Sequence, residues 1–585
     1  MSASDHGGRR GLGSASPSPS PSPDADVTSS SDQYPLLQLI DGQENIDDGT
    51  DGRQGRPVNR KDDSKNTPAA DLMRRLGVSP ERRIKVTAED DARVLHRIDS
   101  VVLPLMLAVY FLQGLDKATI AYASIFGLIE DTGLKGDQFS WLGSIVYVAQ
   151  LIAQFPLAWL LVKLPIGKFT SCMVTLWGLT LALMAGAHSF ESLLVARFWL
   201  GAFEASIAPS FIAITQMFWR RREQPLRMSY WYAMNGFTNV FGSLITWGLA
   251  QLPFGLKPYQ TIFIFFGIIT VCFSSILFSY MPDSPAEAKF LSKHDKLIAI
   301  ERLRMNQTGV MTREWRWDHL WEMIRDVKTW LWFALTFSIS VPSGGVASFG
   351  PLLVKSFGFD SFHAILFNAP FGIVQLISTV GGSYMATKYH KKGPVIAFLT
   401  IFPIIGCMIM LATPHTPDTK ATLLCGYYMI SVFPGIVPLI YSWSASNTAG
   451  DTKSKCNSSV LFVGQSLGNI IGPLLYKPSE APEYYTGLYW NLLFYCAIIV
   501  LVGVTTMYLA YLNRDHSRRR VLAGKDALIV DYSLYSPEEA DRLRRVKAIG
   551  AEHVENARDG TGSGVGARAF DDLTDLMNDE FIFVF

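Results

Sequence analysis

ARFWLGAFEASIAPS, residues 196–210, sets Arg197 and Glu204 seven positions apart inside an otherwise apolar run that begins near Leu193 and continues to Phe218. A run of this length is long enough to cross a bilayer as a helix, which needs about 20 apolar residues. A charge inside such a span is expensive, about 2.5–3.5 kcal/mol on insertion scales. Seven residues are close to two helical turns. The two side chains therefore project from nearly the same face, about 10 Å apart along the axis. That separation is too great for one salt bridge, but both groups can line one cavity.

Working outward, the same apolar pattern recurs. Of the 585 residues 49% are hydrophobic and only 18% charged, below the ~25% charged of an average soluble domain. Twelve candidate spans begin near Val101, Phe139, Thr170, Leu193, Met228, Thr261, Trp330, Phe362, Val395, Ala421, Val460 and Leu488. A polar stretch, Asp283–Lys328, separates the sixth from the seventh. The expected organisation is a disordered Ser/Pro-rich tail at 1–92, a six-helix half at 93–282, a central loop at 283–328, a second six-helix half at 329–513 and a polar tail at 514–585. The fold class is an all-α membrane protein. Six spans, a long loop and six spans is the plan of secondary transporters with a midplane site between two halves.

Loop charges set the orientation. The even-numbered loops carry Lys163, Lys168, Arg220, Arg221, Arg222, Arg227, Lys388, Lys391, Lys392, Lys453 and Lys455. The odd-numbered loops carry only Lys135, Lys257, Lys355, Lys420 and Lys477. Both termini and the central loop are thus expected in the cytosol. The glycosylation-like triplets at Asn306 and Asn457 then face the wrong side to be used. The net charge of +1 gives no reason to expect a nucleic-acid partner. No Walker A or HExxH string occurs, and the six cysteines show neither metal-ligand nor disulfide spacing. No enzyme activity, cofactor or metal is expected.

Four intramembrane charges stand out: Asp116 and Lys117 in the first span, Arg197 and Glu204 in the fourth. Lys117 and Arg197 suit an anionic group, Arg in particular through its fork of donors. Glu204 in low dielectric suits a proton carrier, with Asp116 as the second proton-coupling candidate and a partner for Arg197 when substrate is absent. The competing reading is an internal ion network that only fixes helix packing, with Lys117 snorkelling to the outer surface. Weaker candidates for substrate contact are Asn235, Asn239, Asn368, Tyr441 and Gln465, with Gln150, Gln154, Gln375, Asn447 and Asn469 beside them. Interhelical hydrogen bonding is the favoured reading for any one of these. Gly464, Gly468 and Gly472 form a stripe that reads as close helix packing.

Several strings, in order along the chain, resemble the major facilitator superfamily and, within it, the fungal allantoate permease branch of the anion:cation symporters. They are RVLHRIDSVVLPLM (93–106), GLDKATIAYASIFGL (114–128), KLPIGKF (163–169), RFWLGAFEASIAPS (197–210), MPDSPAEAKFLS (281–292), ERLRMNQTGV (301–310), NTAGDTKSK (447–455), GNIIGPLLYK (468–477) and DDLTDLMNDEFIFVF (571–585). The resemblance implies a major facilitator fold of twelve transmembrane helices in two six-helix halves. It implies proton-coupled uptake of a small organic anion such as allantoate, ureidosuccinate or a related carboxylate, and a plasma-membrane location. By motif position the anion-binding and proton-coupling roles fall on Lys117, Arg197 and Glu204. The expected partners are a small anionic metabolite, protons and the lipid bilayer, with the protein acting as a monomer. Export of metabolites or drugs and non-transporting nutrient sensing are the alternatives. The chain departs from the pattern in the 163–169 loop, which lacks the usual acidic residue, and in its 578–585 ending.

Overall fold

The computed structural model describes residues 86–125, 128–135, 138–250, 255–304, 306, 314–357, 368–477, 480, 483–524, 527, 539, 542 and 572–585. All belong to one compact unit, residues 62–585. The expected disordered tail therefore lies outside the described residues up to position 85.

Ordinary helices account for the spans. In the first half they are α1 (Ala88–Ile125), the short α2 (Leu128–Thr132), α3 (Gln138–Lys163), α4 (Ile166–Leu183), α5 (Phe190–Glu204), α6 (Ile207–Phe218), α7 (Gln224–Ala250) and α8 (Pro258–Tyr280). The central region holds α9 (Lys293–Arg304) and α10 (Trp317–Arg325). The second half holds α11 (Val327–Ser356), α12 (Asn368–Tyr389), α13 (Gly393–Ala412), α14 (Lys420–Ile430), α15 (Val437–Ser446), α16 (Asp451–Leu474) and α17 (Tyr485–Leu522). Two spans are interrupted at matching places in the two halves. α5 gives way to α6 at Ala205–Ser206, immediately after Glu204, and α14 gives way to α15 across a segment that contains Phe433, Pro434 and Gly435.

Among the described residues, nine helices are long and apolar enough to cross a membrane. The other three long helices, α7, α12 and α16, are diluted by polar side chains such as Asn235 and Asn239, Gln375, and Gln465 and Asn469. These are the helices that meet the opposite half: α7 lies against α12 and α16 against α3. Facing protein rather than lipid removes the penalty on polar groups, so they need less hydrophobicity. Within the halves the same pairing repeats, with α1 on α7 and α4 on α8 matched by α11 on α16 and α13 on α17. The glycine stripe of α16 lies on α11: a Cβ on Gly468 would stand 2.6 Å from that of Ser340 and 2.9 Å from the Phe337 carbonyl. It is a packing stripe.

The halves are also tied together on the face of the even-numbered, basic loops. Gln216 Nε2 donates to the Ala445 carbonyl (2.8 Å), and Ser454 Oγ donates to Gln216 Oε1 (3.0 Å). α16 begins at Asp451, earlier than its apolar run suggests, so Lys453 and Lys455 are helical and buried. Carboxylates make this possible: Lys455 meets Asp451 at 2.7 Å, while Lys453 meets Glu322 at 2.8 Å and Asp326 at 2.9 Å. The acidic group missing from the 163–169 loop enters from beyond α8. Asp283 Oδ1 accepts the backbone N–H groups of Gly167 (2.9 Å) and Lys168 (3.1 Å) at the start of α4. Asn306 is buried, donating to the Trp219 carbonyl at 3.1 Å.

Gly236 of α7 and Gly372 of α12 set the approach of the halves, since a Cβ on Gly236 would lie 2.9 Å from the Gly372 carbonyl. Overpacking of this kind costs about 1–3 kcal/mol. Gly236→Ala should lower the apparent melting temperature in detergent by several degrees. Gly248→Ala on the same helix, with no atom within 4 Å of the new methyl, should leave it unchanged.

Candidate functional site

The site forms where α1, α3, α4 and α5 meet. Gln113 and Lys117 stand one turn apart on α1 and both reach Glu204, the last residue of α5. Glu204 Oε1 lies 3.1 Å from Lys117 Nζ and accepts from Gln113 Nε2 at 2.8 Å. The Glu204 side chain is fully buried, and its Oε2 has no hydrogen-bond partner among the described residues. Lys117 keeps 40% of its side-chain surface exposed. Its ammonium points inward to Glu204.

Asp116 points the other way around α1. Its Oδ2 accepts Trp177 Nε1 of α4 at 2.7 Å, and Thr119 Oγ1 lies 3.4 Å from its Oδ1. Arg197 is 3% exposed. Its electrostatic neighbours are Asp116, Glu204 and Tyr147 of α3, yet its Nε and Nη2 have no hydrogen-bond partner among the described residues. The four charges thus sit in one cluster with two cations and two carboxylates. Glu204 is engaged by Lys117, and Arg197 keeps unused donors.

An aromatic layer lies beneath the charges on the basic-loop side. Tyr110 is seven residues before Lys117 on α1 and Phe211 seven after Glu204, so both stand about 10 Å nearer that face. Their rings are 6.3 Å apart. Trp231 is 4.8 Å from Tyr110 and stacks on Tyr441 of the second half at 6.4 Å, while Tyr232 meets Tyr441 edge-on at 6.2 Å. Two expected contact residues belong to this layer. Tyr441 donates its hydroxyl to Gln465 Oε1 at 2.6 Å. Asn235 donates to the Tyr232 carbonyl at 3.0 Å and bonds the Tyr110 hydroxyl. Asn239 is used elsewhere, donating to Gln375 Oε1 at 2.9 Å across the α7–α12 seam. Asn368 opens α12, and its side chain lies outside the described residues.

Gln154 donates to the Ala205 carbonyl at 3.3 Å and so supports the break in the span directly after Glu204. Asn447 is drawn away to the backbone of Val584. The sequence reading missed Gln113, Tyr147 and Trp177. Only Gln113 carried a signal, as a polar residue one turn before Lys117 on the same face.

Two sets of long apolar helices with matching helix breaks, one of them holding a buried charge cluster, are the architecture of a membrane transporter. The chain belongs to the major facilitator superfamily, whose family model matches residues 106–473. Within it, the chain is a transporter of the allantoate permease branch and not an enzyme. It is 30% identical to the allantoate permease of Saccharomyces cerevisiae over 79% of this chain and 85% of that protein. It is 34% identical to an uncharacterised transporter of Schizosaccharomyces pombe over 76% and 84%. The fold matches that of the Escherichia coli fucose:proton symporter with a TM-score of 0.53 and 15% identity, covering 69% of this chain and 98% of that one.

Removing one partner of a buried ion pair strands the other, at about 3–5 kcal/mol, whereas removing both costs far less. Lys117→Met alone should therefore lower the melting temperature more than Lys117→Met combined with Glu204→Gln. Melting curves of the three proteins in one detergent check this.

Proposed function

We propose that the protein imports a small carboxylate-bearing metabolite together with protons. Arg197 carries the reading: it is a buried guanidinium with unused donors beside a carboxylate that has an unused oxygen. A buried cation without full pairing is costly, and an anionic substrate supplies the missing acceptors with the planar geometry a guanidinium favours. Lys117, Arg197, Asp116 and Glu204 sum to zero charge when all are ionised. An anion entering that set leaves a net negative charge in low dielectric. A proton on Glu204 restores balance and releases Lys117 to the substrate, so anion and proton are favoured together. Asp116, fixed by Trp177, holds Arg197 in place.

Tyr441 and Asn235 belong to the aromatic floor of this site, with Gln465 behind Tyr441. Asn368 is the remaining contact candidate, and Asn239 is committed to Gln375 at the α7–α12 seam. Twelve helices cross the membrane, in halves at 93–282 and 329–513 joined by 283–328, and the protein works as a monomer. The excess of Lys and Arg in the even-numbered loops places those loops, both tails and the central region in the cytosol, with the plasma membrane as the location. The contacts on the basic face then make this an outward-facing arrangement. Allantoate, named for the relative from Saccharomyces cerevisiae, and ureidosuccinate exemplify the substrate class.

The test is uptake in yeast lacking its own allantoate-type permeases, with labelled allantoate, ureidosuccinate, a dipeptide, nicotinate and pantothenate at pH 5 and pH 7. Accumulation should be greater at pH 5 and should be lost in Glu204→Gln. Arg197→Gln should cut kcat/KM by more than about tenfold, the scale of one charge-assisted hydrogen bond. Equal uptake at both pH values that survives in Glu204→Gln would remove the coupling role. Absence of uptake with protein at the surface would turn the reading toward export.

A further inference from the structure

Residues 572–585 return to the basic face and fill a groove where α11, α15, α16, α17 and the linkers α6–α7 and α12–α13 converge. Thr574, Asp575, Phe581, Phe583 and Val584 are buried there. The groove reads the segment's main chain. Asn513 donates Nδ2 to the Phe583 carbonyl (2.8 Å) and accepts the Phe583 N–H on Oδ1 (2.9 Å). Asn447 does the same for Val584, at 2.9 Å and 2.8 Å. Trp443 Nε1 also donates to the Val584 carbonyl at 2.9 Å, Arg520 donates to the Asp579 carbonyl at 2.6 Å, and His516 Nδ1 lies 3.1 Å from the Phe581 carbonyl. Asn513, His516 and Arg520 occupy one face of α17 at i, i+3 and i+7 spacing.

Side chains add charge and ring contacts. Asp575 sits between Lys328 and Lys453, 3.0 Å from the latter, and accepts the Ala449 N–H at 3.2 Å. Burial alone would raise its pKa, but the two ammonium groups outweigh burial and hold its carboxyl well below the usual carboxylate range. Phe583 lies under Lys328 Nζ at 4.6 Å. All these anchors belong to the second half of the chain. The first half contributes Arg221, whose guanidinium covers the Phe581 ring at 4.4 Å and whose Nη1 donates to the Ile582 carbonyl at 3.2 Å.

We propose that this face is a peptide-binding groove whose ligand is the chain's own acidic–aromatic segment 572–585, and that the bound segment holds the two halves together through Arg221. Paired carboxamides holding successive residues by both backbone groups are a means of binding an extended peptide, as in strand-addition recognition. The occupied groove adjoins the inter-half bonds Gln216–Ala445 and Gln216–Ser454. Rocking the halves apart on this face, as alternating access requires, must pull Arg221 off Phe581. The segment is thus a clamp on the closed basic face.

A native reporter is available. Cys456 of α16 is buried against Ala158 of α3 and Met323 of α10, at the seam that opens when the halves part. The full chain in nanodiscs is treated with a membrane-impermeant maleimide, and the Cys456 adduct is followed by mass spectrometry, with no substrate needed. Phe581→Leu keeps an apolar side chain but removes the ring face, and Arg221→Gln removes the cation. Each should raise the labelling rate about fivefold, the scale of one cation–π contact that keeps access to water. The double variant should label no faster than the faster single one. Asp575→Asn, which touches only the second half, should also accelerate labelling, because it frees the whole segment. Wild-type rates in Phe581→Leu, Arg221→Gln or Asp575→Asn proteins that melt normally would overturn the proposal. So would rate increases that multiply in the double variant.

Discussion

The pairing of Lys117 with a fully buried Glu204 constrains everything around it. Neither charge is tolerable in a bilayer interior alone, so α1 and α5 must meet at that depth and in that rotation. Gln113 supplies a second donor to the same carboxylate oxygen, and the span breaks immediately after Glu204. The break puts α6 on its own axis, and α6 carries Phe211 into the aromatic layer and Gln216 to the seam with the second half.

The charge cluster and the aromatic layer divide the labour by polarity. Above, four ionisable groups share one region, and one of them, Lys117, remains partly exposed. Below, Tyr110, Trp231, Tyr232 and Tyr441 close the way to the basic face and bring the two halves into contact. The aromatic layer beside Arg197 is thus made by both halves. Segment 572–585 works on the same seam from the opposite side, through contacts that are mostly to the main chain and so do not depend on the substrate.

Polar helices at the seam follow from the same physics. α7, α12 and α16 are less apolar than their neighbours because each spends a face on the other half. There Asn239 can satisfy Gln375 and Ser454 can satisfy Gln216. Glycines at 236, 372 and 468 let backbones approach where side chains would hold them apart. Hydropathy alone undervalues these helices, although their lengths match those of the apolar ones.

Much of this was legible in the residues. Repeated apolar runs determined an all-α membrane protein, the basic loops determined which ends share a face, and the charges at 116, 117, 197 and 204 marked a cluster, because a bilayer makes each of those choices costly to reverse. Tertiary structure decided the pairings. That Glu204 takes Lys117 rather than standing free, that Asp116 takes Trp177, and that Asn239 and Asn447 serve a seam and a peptide depends on which helices lie side by side and how far each is rotated. The fate of 572–585 was hidden for the same reason. A short polar and aromatic stretch has no periodicity that announces a partner, and its partners are collected from places far apart along the chain that only folding brings together.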